Sequence, residues 1–155
     1  MHSGRVRIEI LGKVPPSLNV VAGRPSAAGY RRFKALWGSL FEAELLAAQA
    51  RGDLPRIQPS ANFKEPPAGQ LEFVEAAAAV RFNVHRERDE GNFRATIEKA
   101  LVDALVGDRK VWPHGRWLPD DRAGYFAFRE LAMYVDTKKP VVTVVHFDWR
   151  KATLL

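Results

Sequence analysis

Apolar residues recur with two different periods along the first half of the chain. Over Arg5–Leu11, aliphatic residues alternate with charged ones, and this pattern predicts a half-buried strand. From Tyr30 onward, apolar residues recur at helical spacing until Gly52-Asp53, so a helix is predicted over that stretch. The first half of the chain is therefore predicted to contain one strand followed by one long helix.

The second half begins with a less regular pattern. A strand is predicted over Leu71–Val84, although its alanine run, Ala76–Ala79, is also compatible with a helix. A second helix is predicted over Phe93–Val106, because an apolar stripe follows Asn92, a residue suited to the N-cap position.

Two further strands are predicted near the C-terminus, over Tyr125–Val135 and Val141–Trp149, and the turn-like residues between them predict a hairpin. Segments rich in proline or glycine are predicted to be loops: Lys13–Asn19, Asp53–Gly69 and Gly107–Pro119. The order strand, helix, strand, helix, strand, strand predicts an α+β fold, with a mostly antiparallel or mixed sheet covered by two helices. The length of 155 residues suits a single domain over residues 1–155.

The composition narrows the class of protein. The formal net charge is +6, which favours a polyanionic partner. The chain has no cysteine, so disulfides and thiolate metal sites are excluded and a reducing cytosol is suitable. No signal peptide is visible, and the apolar runs are too short to span a bilayer, so we expect a cytoplasmic protein without membrane contact.

Two acidic clusters lie at the ends of predicted elements, where side chains can converge on a cleft. Glu87, Asp89 and Glu90 lie between the second strand and the second helix, and Asp120 and Asp121 follow the third loop. Carboxylate oxygens bind Mg²⁺, and paired ions can activate water against a phosphodiester. Solvated turn acids and helix caps are the alternative interpretation.

Basic residues flank both acidic clusters: Arg86, Arg88, Arg94, Arg109, Lys110 and Arg116. Acids within a basic field suit a DNA-cutting site, because the bases hold phosphates while the acids hold metal. Ordinary surface ion pairs are the alternative. In the third loop, Trp112 and Trp117 suit either stacking on unpaired bases or burial against the sheet.

Motifs in several places along the chain resemble the RusA family of Holliday junction resolvases, in the same order. Val14–Asn19 resembles the family's Pro-Pro-Ser-x-Asn loop, and Gly29–Arg32 opens a helix as in that family. Arg88–Phe93 followed by Lys99–Leu105 resembles the central Arg-Asp-x-Asp-Asn segment with its lysine and Asp-Ala-Leu helix. Trp117–Asp121 is similar to the segment that carries the family's Asp-Asp pair.

The resemblance implies a homodimer that uses Mg²⁺, with Mn²⁺ able to substitute, and no small-molecule cofactor. Such a protein resolves four-way DNA junctions by paired nicks in recombination and repair. Asp89 and Asp121 take the first and last metal-ligand positions, with Asp120 beside the latter, and Lys99 takes the place of an assisting lysine. The central segment resembles versions carried by actinobacterial phages, in which case the location is the host cytosol.

The central motif departs from the family pattern at the second aspartate. Gly91 occupies that position, and either Glu90 or Glu87 could supply the missing carboxylate. The number of bound metals is therefore left open by the sequence. The metal ligands expected are Asp89, Glu90, Asp120 and Asp121.

The lysine is also displaced from its place in the family. Lys99 follows Asn92 by seven residues, an axial rise of about 10 Å instead of about 4.5 Å. Arg94 could replace it, and Lys99 could instead be an exposed helix cation paired with Asp103.

The residues expected to contact DNA are Ser17, Asn19, Arg31, Arg86, Arg88, Asn92, Arg94 and Arg116. Ser17 and Asn19 could equally set the loop through local hydrogen bonds. Two other functions remain open: a non-cutting nucleic-acid-binding protein on the same fold, and a nuclease for other branched DNA.

Overall fold

The computed structural model describes residues 2–16, 27–59 and 65–151, with backbone alone for 27–30. The elements, in chain order, are β1 (Ser3–Leu11), α1 (Ala27–Arg51), β2 (Leu71–Phe82), α2 (Glu90–Val106), β3 (Phe126–Val135) and β4 (Val142–Lys151). This order of elements confirms the predicted α+β class. Within the described residues, neither helix has an apolar stretch long enough to cross a bilayer.

The four strands form one mixed sheet in the order β1-β4-β2-β3. β4 lies antiparallel to both β1 and β2, whereas β2 and β3 are parallel. Because parallel neighbours need a crossover connection, α2 returns from the end of β2 to the start of β3. The helix therefore runs alongside the parallel pair.

The predicted hairpin between the last two strands is wrong. β2 lies between β3 and β4, so those strands do not pair with each other. Their connection crosses the end of β2: Asp136 N–H donates to the carbonyl of Phe82 at 2.9 Å, and Arg81 Nε donates to the carbonyl of Pro140 at 3.0 Å. The turn-like residues were compatible with a hairpin, but the sequence does not reveal the intervening strand.

Helix α1 begins at Ala27, three residues before the predicted start. Its buried stripe has the expected helical spacing and consists of Phe33, Trp37, Phe41, Leu45 and Ala48. The predicted end is confirmed, because Gly52 adopts a left-handed φ of 86° and donates its N–H to Gln49 O, while Asp53 N–H reaches Ala48 O.

Helix α2 begins three residues earlier than predicted, and its N-cap is Asp89 instead of Asn92. The Asp89 side chain accepts a hydrogen bond from Gly91 N–H at 2.9 Å, and its own backbone is extended. Asn92 consequently lies inside the first turn. The helix ends at Gly107, whose N–H donates to Asp103 O.

The alanine run of β2 is extended and its core-facing residues, including Ala76 and Ala78, are buried, which settles the choice between strand and helix in favour of strand. Side chains from all four strands and both helices form one hydrophobic cluster. Leu54 and Ile57 belong to it, so the predicted surface loop after α1 contributes to the core.

Candidate functional site

The first acidic cluster lies at the N-terminus of α2. Asp89 and Glu90 are exposed there, and Glu87 is exposed in the segment before the helix. Arg88 packs over the ring of Phe82 with its guanidinium carbon 3.8 Å from the ring centroid, and desolvation together with the nearby charge of Arg86 lowers the pKa of Arg88. Asp89 and Glu90 lie at the positive end of the helix dipole, and Arg86 and Arg88 are close to them in the chain.

The N-terminal proline loop approaches the same end of α2. Thr96, a buried polar residue in the second turn, donates its hydroxyl to the carbonyl of Pro16 at 2.8 Å. Pro16 therefore lies beside the second turn of α2. Sequence reasoning missed Thr96, because its position gives no periodic signal in an otherwise apolar helix face. Ser17 and Asn19, predicted to contact DNA, lie outside the described residues.

The second acidic cluster follows the tryptophan loop, residues 107–119. Asp120 accepts hydrogen bonds from Asp121 N–H at 2.7 Å and from Arg122 Nε at 2.8 Å, and Arg109 lies 3.9 Å away. Hydrogen bonding to Asp121, through its side chain and its backbone N–H, and then to Arg122, lowers the pKa of Asp120. Asp120 is thus held as a carboxylate, and Asp121 is exposed beside it.

The two clusters lie at opposite ends of α2. Asp121 lines a cleft that also includes Asp103 and Asp108, near the C-terminus of the helix, and Asp89 does not line this cleft. Asp89 caps the other end, and the fourteen residues from Asp89 to Asp103 correspond to an axial rise of about 21 Å.

The positions of the two acidic clusters relative to the sheet also place them far apart. Val74 pairs with Phe126 near the start of the parallel pair, and Phe82 pairs with Val135 at its end, about 26 Å further along the strands. Asp121 precedes the first of these points and Asp89 follows the last. A single chain does not bring Asp89 and Asp121 to one cleft, contrary to the sequence-based expectation.

Within the described ranges, no group of three or more Asp, Glu, His or Cys side chains is arranged to hold a metal ion. Mg²⁺ bound by protein needs at least one or two carboxylates together with water or phosphate. Each end of α2 offers that minimum, but the four-carboxylate set expected from the sequence is divided. One chain alone does not fit a site that uses all four.

The cleft at the Asp121 end has a volume of about 900 Å³ and lies between α1, the C-terminus of α2 and the tryptophan loop. Asp103 joins the two helices there: its carboxylate lies 3.2 Å from Lys99 Nζ and 3.6 Å from Lys34 Nζ. The ion pair that was the alternative interpretation of Lys99 is therefore present. Lys99 lies about 15 Å along the helix axis from Asp89, too far to contact the same phosphate.

Arg116 lies in this cleft between two buried tryptophans. Its guanidinium carbon is 4.3 Å from the ring centroid of Trp117 and 4.8 Å from that of Trp112, and Nη1 lies 3.6 Å from Glu42. Desolvation lowers the pKa of Arg116, and its side chain is only 14% exposed. This placement favours a structural role for Arg116 over the predicted phosphate contact, and both tryptophans pack in the core.

The remaining predicted DNA contacts differ in accessibility. Arg31 and Arg86 are exposed, and Asn92 is half-buried in the first turn of α2. Arg94 is also half-buried, and its guanidinium donates to the backbone carbonyl of Phe128 in β3. Arg94 therefore joins α2 to the sheet, whereas the side chains of Arg31 and Arg86 are exposed.

Comparison of the chain with protein-family models and with curated proteins found no match. The family resemblance consequently rests on the motifs in the sequence, and the activity that it implies is a proposal.

Proposed function

We propose that this protein is a Mg²⁺-dependent endonuclease for branched DNA, similar to the RusA family, that nicks four-way junctions in recombination or repair. The observation that carries the proposal is the N-terminus of α2. There the exposed carboxylates of Asp89 and Glu90 follow Arg86 and Arg88 closely in the chain, and Pro16 contacts the second turn of the same helix at Thr96. Acids that can hold a cation beside bases that can hold phosphate are what phosphodiester cleavage requires.

The proposal includes a homodimer, since one chain separates its two acidic clusters. In a two-fold pair with antiparallel α2 helices, Asp89 and Glu90 of one copy would adjoin Asp120 and Asp121 of the other. The dimer would then contain two complete sites, each with carboxylates from both copies, and two sites suit paired nicks. A Mg²⁺ ion bound by these carboxylates would supply Lewis-acid stabilisation of the phosphodiester, and the arginines would orient the backbone.

Mixing two inactive variants tests this proposal. Asp89→Asn and Asp121→Asn should each abolish nicking of a labelled four-way junction in Mg²⁺. If sites are shared between copies, a mixed dimer keeps one intact site, so equal mixing should restore about a quarter of the parental sites. Restoration should also occur in Mn²⁺, and linear duplex should stay intact. A mixture that remains inactive while each variant still dimerises would contradict a shared site.

A non-cutting protein that binds branched DNA is the second candidate. The division of the carboxylates within one chain and the glycine at position 91 favour it. Binding would then persist in EDTA and weaken steeply with salt, because phosphate contacts release counterions. Junction, flap and duplex substrates assayed together separate this candidate from the resolvase and from a nuclease for other branched DNA. The cysteine-free composition suits either protein in a cytosol.

A further inference from the structure

Strand β3 is an open edge of the sheet. Among the described residues it pairs with β2 alone, and its outer side has no strand partner along ten residues. Edge strands expose backbone N–H and C=O groups that pair readily with another strand, and proteins blunt them with short length, proline, charged side chains or a bulge. β3 has no proline, and Tyr134 remains 47% exposed on it.

A bulge lies at the centre of β3. The pairing with β2 moves from Ala76–Phe128 to Ala78–Leu131, so β3 contains one extra residue there. Arg129 and Glu130 are both exposed at the bulge, and Phe128 and Leu131 on either side of them are both buried. The bulge thus reverses the alternation of faces halfway along the strand.

This reversal makes the edge complementary to itself. We infer that β3 pairs antiparallel with β3 of a second copy of this chain, with the two-fold axis between Arg129 and Glu130. The opposed residues, one from each copy, would be Arg129 with Glu130, Phe128 with Leu131, Ala127 with Ala132, Phe126 with Met133 and Tyr125 with Tyr134. Core-facing residues then oppose core-facing residues on both sides of the axis, and two cross-strand ion pairs form at its centre.

The location of α2 supports β3 as the contact edge. Arg94 anchors this helix to β3, whereas α1 contacts β1 at the other edge. Antiparallel pairing of β3 would set the two α2 helices antiparallel above one extended sheet. Asp89 of one copy would then approach the tryptophan loop and Asp121 of the other, so this part of the inference rests on the proposed function.

Cysteine cross-linking tests the register, and the absence of native cysteine makes it specific. Residues 127 and 132 of opposite copies would be direct neighbours, within the Cα separation that a disulfide requires. The double variant Ala127→Cys/Ala132→Cys should become a covalent dimer under mild oxidation. Each single variant should not, because identical cysteines would lie about 16 Å apart. A matched pair on the other edge, Arg7→Cys/Glu9→Cys, should stay monomeric in denaturing gels.

Charge reversal gives an independent test by sedimentation. Glu130→Arg places like charges at the axis and should convert dimer to monomer. Arg129→Glu should do the same, and it also removes the partner of Glu75, so its fold is checked by thermal unfolding. Mixing the Glu130→Arg and Arg129→Glu proteins should give a heterodimer, because the two bases of one copy then face the two acids of the other.

Cross-linking through the β1 pair, or no cross-link at β3 while the parent is dimeric, overturns the inference. The proposed function fails separately: a β3-linked dimer that leaves every junction intact in Mg²⁺ and Mn²⁺ keeps the inference and removes the nuclease. Junction nicking by a protein that does not cross-link at β3 would keep the proposed nuclease and remove the β3 pairing.

Discussion

The guanidinium of Arg94, on α2, donates a hydrogen bond to the backbone carbonyl of Phe128, on β3 next to the bulge. The same guanidinium lies 5.3 Å from the centroid of the Phe128 ring. A charged donor therefore satisfies a backbone acceptor at a point where the strand ladder is irregular. This contact fixes α2 on the sheet and supports the extra residue in β3.

We expect Arg94→Ala to lower the free energy of unfolding by about 1.5–3 kcal/mol, since a hydrogen bond from a charged group to a backbone carbonyl is lost. Urea denaturation followed by circular dichroism measures the change. Arg86→Ala is the matched control, because Arg86 is exposed near the same helix end, and its stability should change by less than about 0.5 kcal/mol.

The same pair separates structural from DNA-binding arginines. Arg86→Ala should weaken junction binding and reduce the slope of log affinity against log salt by about one. An Arg94→Ala protein with parental stability and weakened DNA binding would show that the sequence-based assignment of Arg94 was right and the structural one wrong.

Trp117 provides a test of the tryptophan loop. It is fully buried, and its indole Nε1 donates to the carbonyl of Pro55 at 3.1 Å. Trp117→Ala should cost about 3–5 kcal/mol of unfolding free energy, because a large cavity and an unpaired carbonyl remain. Val111→Ala, in the same loop but 51% exposed, should be nearly neutral. A mild effect of Trp117→Ala with a large loss of junction binding would instead support base stacking.

Local patterns in the sequence determine much of this fold. The alternation in β1 and the stripe of α1 follow directly from burial on one face, and Gly52 marks the helix end through its left-handed φ. The order of strands in the sheet could not be predicted, because the position of β2 between β3 and β4 depends on long-range pairing. The same limit explains the wrong hairpin.

The candidate site was predictable in its residue types and less so in its geometry. The spacing of the motifs identified Asp89 and Asp121 as candidates. Their separation in space follows from the direction of α2, which connects two parallel strands. Arg116 carries the same charge as Arg86, and only the packing of two tryptophans around it distinguishes a buried cation from an exposed one. Sequence periodicity does not report such contacts.

Two substitutions of Asp89 separate its structural role from its chemical role. Asn is as good an N-cap as Asp, so Asp89→Asn should keep the parental stability, whereas Asp89→Ala should lose about 1 kcal/mol. Both should abolish nicking if Asp89 binds the metal. Asp89→Asn should preserve or tighten junction binding, because negative charge is removed without loss of phosphate contacts.

Chemical denaturation, a nicking assay and a gel-shift titration check these three outcomes for Asp89. Parental nicking by Asp89→Asn would remove Asp89 from the site. A loss of stability in Asp89→Asn as large as in Asp89→Ala would contradict the capping geometry.

Gly91 tests whether a glutamate already replaces the missing aspartate. The backbone at Gly91 does not have a positive φ, and an added Cβ would lie 3.3 Å from Asp89 Oδ1, a close but accommodable contact. We expect Gly91→Asp to fold and to nick junctions near the parental rate, while Glu90→Gln lowers nicking strongly. Mg²⁺ should raise the Tm of the parent and of Gly91→Asp, because ligand binding to the native state stabilises it, and should raise that of Glu90→Gln less.

A large gain of nicking in Gly91→Asp would mean that the parental site is impaired and that Glu90 does not serve. An unchanged nicking rate in Glu90→Gln would indicate that Glu87, which is exposed before the helix, supplies the carboxylate instead. Nicking is therefore measured in Mg²⁺ and in Mn²⁺, for the parent and for Gly91→Asp. If junctions stay intact in Mg²⁺ and in Mn²⁺ for the parent and for Gly91→Asp, neither carboxylate arrangement supports hydrolysis. The basic surface around Arg86 would then serve binding alone, and the non-cutting protein would replace the endonuclease as the function of this chain.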